Sequence, residues 1–328
     1  MIVIVGATGH LGNNLARELV KNKENVRAII LPSEDTALIK NLNIEQVTGD
    51  VRDINSLVKA FTGADIVYHM AGVVAISKGK EKLMNEVNVI GTRNVVNACL
   101  KTGVKRLVYT SSVHAIAEPP KGTMIDESFP FDPNEVKGDY AKSKALATRE
   151  ILKGIEKGLD AVILCPTGIT GPYDYKISEM GHLILDFAHK KLKAYIDGAY
   201  DFVDVRDVAK GHILAAEKGK RGESYILSGE RISVYSLLKM LEEFTGVKAP
   251  SFKVPYLLAT VTTPIMPIYY SITHTKPLFT SYSIKVLGSN SLISSKKAQE
   301  KLGYTARPSK ESIKDAVLWF KKMEKINF

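Results

Sequence analysis

Met1-Ile2-Val3-Ile4-Val5-Gly6-Ala7-Thr8-Gly9-His10-Leu11-Gly12 opens the chain: an apolar run that meets a glycine at once, with two more glycines at three-residue intervals. The apolar run reads as a short strand buried on both faces. An amphipathic stretch beginning near Leu11 reads as the helix that follows. Between them, small residues let the backbone turn sharply and approach a pyrophosphate, whose charge the helix amides and dipole stabilise. The strand before and the helix after make Gly6, Thr8, Gly9, His10, Leu11 and Gly12 a candidate dinucleotide cradle rather than a purely structural turn.

Working outward, short β-branched runs alternate with amphipathic stretches, as expected of strand-helix-strand units feeding a parallel sheet. Strands are expected at 2–5, 26–31, 44–48, 66–69, 107–110 and 161–164, each nearly all apolar and so buried on both faces. After Pro166 the pattern loosens at Gly168, Gly171 and Pro172, and later helices near 177–192, 233–245 and 309–325 are joined by irregular stretches. The expected fold class is α/β, a doubly wound parallel sheet with a smaller, mostly helical C-terminal substrate lobe. A dinucleotide-binding domain over 1–170 and a lobe over 171–328 follow, with segments near 200–228 returning to the first domain.

The chain has 328 residues, 24 Gly, 13 Pro and 2 Cys, which excludes a disulfide-stapled secreted scaffold. Cys99 and Cys165 are read as thiols of a reducing compartment, and a cytoplasmic location is expected. The first apolar run is too short for a signal peptide. The longest apolar tract, 254–272, is interrupted by Pro255, Pro264 and Pro267, so no membrane span is expected, although peripheral contact stays open. Net charge is +10, but the lysines are scattered rather than gathered in a patch, which argues against nucleic-acid binding. The histidines do not cluster at ligand spacing, and no metal site is expected.

Chemistry concentrates at Tyr140-Ala141-Lys142-Ser143-Lys144, where a phenol and an ammonium four residues apart share one helix face. A cation that favours the phenolate turns a group with an ordinary pKa near 10 into a useful proton carrier. A second match, Tyr235 to Lys239, has no ligand-facing strand end upstream and is set aside. Upstream of Tyr140, Val108-Tyr109-Thr110-Ser111-Ser112 ends a strand in hydroxyls, at the carboxyl edge where open parallel sheets bind ligands. Asn88, Ser112, Tyr140 and Lys144 are therefore the candidate catalytic set. At the adenosine end, Leu31 ends the expected second strand and Ser33 follows it, with neither an acid nor an arginine at Leu31 itself to choose between NAD and NADP. Glu34 and Asp35 nearby would repel a phosphate. Asp50, followed by Val51, can accept the adenine amino group or serve as a turn residue.

These landmarks resemble the extended short-chain dehydrogenase/reductase family, in the branch similar to dihydroflavonol reductases and 3β-hydroxysteroid dehydrogenases. The resemblance runs over nearly the whole chain. It rests on the Gly6 to Gly12 loop, Gly49-Asp50-Val51-Arg52-Asp53, His69-Met70-Ala71-Gly72, Asn88 to Val95, Thr110-Ser111-Ser112, Tyr140 to Lys144, Pro166-Thr167-Gly168, Asp201 to Ala209 and Leu302-Gly303-Tyr304. It implies a Rossmann-type fold with NAD or NADP as cofactor. Tyr140 would be the acid and base, Ser112 the group that polarises a carbonyl, and Asn88 a helix-kinking or water-holding residue. Lys144 would hold the nicotinamide ribose and lower the phenol's pKa. Ala71 and Gly72 would line the ribose-pyrophosphate, and Pro166, Thr167 and Gly168 the nicotinamide carboxamide.

Two departures matter. Cys165 stands where related nucleotide-sugar epimerases carry an arginine, and Val113-His114 where dehydratases carry an Asp-Glu pair. The expected activity is interconversion of a ketone or aldehyde and an alcohol on a fairly apolar small molecule. A nucleotide-sugar epimerase and a non-catalytic cofactor-sensing protein are the alternatives. His114, Tyr173 and Met180 are candidate pocket residues, with local bonding or core packing as the plainer reading. The resemblance implies a homodimer built from the long helices near 81–101 and 139–157, with core packing as the plainer reading of their apolar faces.

Overall fold

The glycine loop lies between β1 (Ile2–Val5) and α1 (His10–Lys21), and the chain continues through β2 (Val26–Ile30), β3 (Glu45–Thr48), α2 (Ile54–Phe61) and β4 (Ile66–His69). Then come α3 (Glu81–Met84), a π-helical segment over Asn85–Ile90, α4 (Gly91–Thr102), β5 (Arg106–Thr110), α5 (Asp139–Glu156) and β6 (Ala161–Pro166). The second half holds β7 (Gly168–Thr170), α6 (Glu179–Ala188), β8 (Ala194–Ile196), β9 (Ala199–Asp204), α7 (Val205–Lys218), β10 (Ser224–Leu227) and β11 (Glu230–Ser233). It closes with α8 (Val234–Thr245), β12 (Phe252–Val254), α9 (Lys296–Leu302) and α10 (Ser309–Lys322). This computed structural model describes residues 1–75, 79–256, 258, 288 and 290–326.

Seven strands form one parallel sheet in the order β10-β6-β5-β4-β1-β2-β3. Strand order reverses between β1 and β4, which opens a crevice at their carboxyl ends. Alternation along the strands divides the core. Val3 and Val5 join Phe61, Tyr109 and Cys165 on one face, while Ile2 and Ile4 join Leu15, Tyr68 and Leu164 on the other. A third core, around Ile184, Phe187, Leu237, Leu241, Val317 and Phe320, is built by α6, α8 and α10. A small sheet ordered β11-β9-β7 lies alongside.

The doubly wound α/β class expected from the sequence is what the chain adopts, and β1 and β4 have the expected bounds. Three expectations need correction. β3 is an edge strand with one neighbour, so its residues are largely exposed instead of buried on both faces. β2 stops at Ile30, because Leu31 precedes Pro32 and is itself 37% exposed. β6 runs on to Pro166, since β10 supplies partners as far as Leu227.

Candidate active site

Gly6 has φ +95°, and a Cβ there would lie 2.8 Å from the Ala71 amide nitrogen. A Cβ on Gly12 would lie 2.1 Å from the Gly6 carbonyl oxygen. These glycines therefore bring β1, α1 and the end of β4 closer together than side chains allow. The Gly9 amide donates to the Gly6 carbonyl at 3.1 Å, and Gly9 caps α1 with no side chain spent on its first amides. A glycine-walled turn ending at uncapped helix amides fits a dinucleotide pyrophosphate. Leu11 is buried in the core, and His10 Nε2 donates to the Pro172 carbonyl at 2.9 Å. Burial lowers the His10 pKa and keeps its ring neutral.

At the adenosine end, Leu31 and Ser33 are exposed. The Leu31 amide donates to Glu34 at 3.4 Å. Asp50 does not present a free carboxylate: it accepts from the Arg52 amide at 2.9 Å and is gripped by the Arg52 guanidinium, which holds its pKa down. Any contact with adenine is shared with Arg52. Val51 is buried against Gly91, where a Cβ would sit 2.7 Å from Val51 Cγ2.

Four chain segments meet around the proposed chemistry. Ser112 follows β5 and accepts the His114 amide at 3.2 Å. Tyr140 stands in the first turn of α5, and Lys144 one turn further on. Lys144 Nζ donates to the Thr110 carbonyl at 2.6 Å and lies 4.8 Å from the centre of the Tyr109 ring. A Cβ on Gly72 would be 3.9 Å from Lys144 Nζ and 3.4 Å from Asn88 Oδ1, so β4's end and the ammonium flank one space. Asn88, in the π-helical segment, accepts the Val73 amide at 2.7 Å and donates to the Val73 carbonyl at 3.0 Å and to Ser143 Oγ at 2.9 Å. Ser143 in turn donates to the Tyr140 carbonyl at 2.8 Å. Asn88 thus ties the segment after β4 to the turn that carries Tyr140.

Electrostatics depart from expectation at one point. Burial raises the Tyr140 pKa, opposed by its bond with Ser112. Desolvation of the half-buried phenol outweighs the Ser112 contribution, and the Lys144 charge that was expected to lower it is not among the causes of the shift. Burial also pushes Lys144 down to about 8 and Cys165 up to about 12, so Cys165 is an inert strand residue.

The remaining expected residues divide. His114 pairs with Tyr200 through Nε2 and the phenol oxygen at 2.7 Å, the rings stacked 5.7 Å apart, and burial lowers His114 to about 4. Tyr200 also lines Gly168, where a Cβ would be 2.9 Å from its Cε1. Pro166 ends β6, and Thr167 donates to Asp201 at 2.6 Å. Tyr173 packs instead between Arg17, 4.2 Å above its ring, and Trp319, 4.8 Å away, neither of which belongs to the catalytic group. Met180 packs on the lobe core. Of the 254–272 tract, residues 257 and 259–272 lie outside the described residues. Among the described residues, no helix is long and apolar enough to cross a membrane, and no group of three His, Cys, Asp or Glu is placed to hold a metal.

Sequence reasoning missed Tyr200, 86 residues from its partner His114, and Lys176, whose Nζ donates to Thr8 Oγ1 at 3.0 Å from 168 residues away. Period and motif carry no record of such pairings.

Comparison with known proteins agrees with this geometry. The chain is 36% identical over 323 residues to sterol demethylase protein B of Methylococcus capsulatus, covering 97% of this chain and 98% of that one. It is 32% identical over 354 residues to 3beta-hydroxysteroid-dehydrogenase/decarboxylase isoform 1 of Arabidopsis thaliana, covering 96% and 78%. The crystal structure of gox2253 superposes with a TM-score of 0.89 at 34% identity, covering 100% of this chain and 99% of that one. Residues 3–235 match the model of the 3-beta hydroxysteroid dehydrogenase/isomerase family. With the glycine cradle, the Ser112, Tyr140 and Lys144 cluster and this match in agreement, the chain belongs to that family, a branch of the NAD(P)-dependent extended short-chain dehydrogenase/reductase enzymes.

Proposed function

We propose that the protein interconverts a ketone and a secondary alcohol on an apolar, sterol-like molecule, with Tyr140 moving the proton. The observation that carries this reading is the placement of Tyr140 one helical turn before the buried Lys144, whose Nζ donates to the Thr110 carbonyl at 2.6 Å, with Ser112 just past the end of the same β5, at the crevice lined by the glycine cradle. Held at the glycine cradle, a nicotinamide dinucleotide would supply or accept the hydride. Tyr140 gives its phenolic proton to the substrate oxygen in reduction and takes it back in oxidation. Ser112 donates a hydrogen bond to the same oxygen and stabilises charge that develops there. Lys144 holds a positive charge at the floor of the site at neutral pH, the Thr110 carbonyl fixing its position.

The names of the two curated relatives, a sterol demethylase component and a 3β-hydroxysteroid dehydrogenase/decarboxylase, support the sterol-like class. So does His114, which burial keeps neutral, so that with Tyr200 it offers hydrogen bonds and ring surface rather than a cation for a phosphate. The test is turnover of a panel of 3-hydroxy and 3-keto sterols, short aliphatic ketones and UDP-sugars with NADH or NADPH. Net cofactor oxidation or reduction with the sterols supports the reading. UDP-sugar isomerisation without net cofactor change overturns it.

A further inference from the structure

Lys176 belongs to the stretch after β7, yet its ammonium reaches back to the first glycine loop and to the end of β2. It donates to Thr8 Oγ1 at 3.0 Å and is paired with Glu34. Glu34 in turn accepts the Leu31 amide, the first backbone donor beyond β2. Burial alone would raise this carboxyl, but the bonds from Lys176 and Thr8 outweigh it and hold it ionised, below the ordinary range.

The segment that presents Lys176 is held in an unusual shape. Tyr173 has φ +64° and Ile177 has φ +52°, the latter costly for a β-branched residue. Asp174 secures the turn by accepting the Ser178 amide at 3.0 and 2.9 Å and the Ser178 hydroxyl at 2.6 Å. Tyr175 OH accepts from Arg17 of α1 at 3.3 Å. Strain maintained by several bonds marks a side chain whose aim matters.

In a doubly wound sheet the pyrophosphate lies at the N-terminus of α1 and the adenosine ribose at the end of β2. Thr8 and Glu34 stand at those two places, and Lys176 connects them. Leu31 lacks the acid usual at that strand end, and Glu34 folds back onto its amide instead. We infer that Glu34 and Lys176 together form the selector of the adenosine ribose, Glu34 accepting the 2′- and 3′-hydroxyls and Lys176 closing over the phosphate side, so that NAD(H) is preferred to NADP(H). A 2′-phosphate would face the Glu34 carboxylate and would have to draw Lys176 away from it. Because Lys176 is carried by the stretch that leads into the lobe, binding the adenosine half also ties the two halves of the crevice together.

This inference rests on the dinucleotide reading of the cradle. The experiment titrates wild type, Glu34→Ala and Lys176→Met with NADH and NADPH, following nicotinamide fluorescence, with thermal melting as the check on folding. Wild type should bind NADH at least about tenfold more tightly than NADPH. Glu34→Ala should narrow or reverse that ratio by freeing Lys176 for the 2′-phosphate. Lys176→Met should weaken NADH binding several-fold. Tighter NADPH binding by wild type, or an unchanged ratio in a folded Glu34→Ala variant, overturns the selector and leaves the cradle standing. Binding of neither nucleotide by folded wild type overturns both.

Discussion

Tyr140 and Lys144 are one helical turn apart, but their surroundings give them different work. Desolvation raises the pKa of the Tyr140 phenol and keeps it protonated, so removing its oxygen removes the proton and little else. Tyr140→Phe should lower turnover by about two to four orders of magnitude, with NADH affinity from fluorescence titration nearly unchanged. For Lys144 the pH dependence has a definite sign. Burial lowers its pKa to about 8, against about 10.4 in an unfolded chain, so the unfolded state binds more protons between those values. Its share of stability is complete above that window and is lost as pH falls towards 8. The melting temperature of wild type should therefore rise relative to Lys144→Met between pH 8 and 10. A flat difference would mean that the ammonium is hydrated. Gly12→Ala belongs to the same scale. Its methyl would fall 2.1 Å from the Gly6 oxygen, so we expect about 1–3 kcal/mol of destabilisation and loss of dinucleotide binding.

Among the elements, the helical run from Glu81 to Thr102 shows how a local irregularity is put to use. Its π-helical middle, Asn85–Ile90, turns Asn88 inward, where one side chain satisfies both backbone groups of Val73 and reaches Ser143. Asn88→Ala leaves those part-buried groups without that partner. We expect about 1–3 kcal/mol of lost stability by chemical denaturation, together with a lower kcat, because the turn bearing Tyr140 loses its tie. Much at this scale was legible beforehand. The apolar runs at 2–5 and 66–69 and the loop between Val5 and α1 needed only period and glycine spacing. Asn88 was singled out as a residue that kinks its helix, but its partners Val73 and Ser143 depend on how β4 and α5 pack, which no local pattern records. The exposed β3 was misread because an edge strand and a central strand differ in neighbours, not in their own residues. The Lys176 to Glu34 pair, 142 residues apart, was invisible for the same reason.

At the scale of the whole molecule, three of the described histidines are held far below the ordinary histidine range, His69 and His212 fully buried and His114 partly so. His69, bonded to Thr92, is held down to about 3, and His114 and His212 to about 4, in each case chiefly by burial. Unfolded histidines take up protons near pH 6.5, so the stability these groups contribute is present above that value and is lost as pH falls through their folded values. Acid unfolding between pH 6 and 4 should therefore take up about three protons beyond the carboxylate contribution, as read from the pH dependence of the denaturation midpoint. His212→Gln, which keeps a polar group near Thr110, should reduce that uptake by about one.

The strand order also bears on how the chain is made. Every strand from β1 to β6 finds its neighbours within the first 166 residues, save the outer side of β6, which waits for β10. The lobe core instead draws on residues from Ile184 to Ile326, and Asp207 gains its ion pair only from Arg307. A chain emerging from the ribosome can therefore assemble the cradle and the Ser112, Tyr140 and Lys144 group well before the core of α6, α8 and α10 exists. During that interval β6 is a temporary edge with an apolar face and unpaired backbone, a second edge opposite the permanent one at β3 and open to pairing with a neighbour.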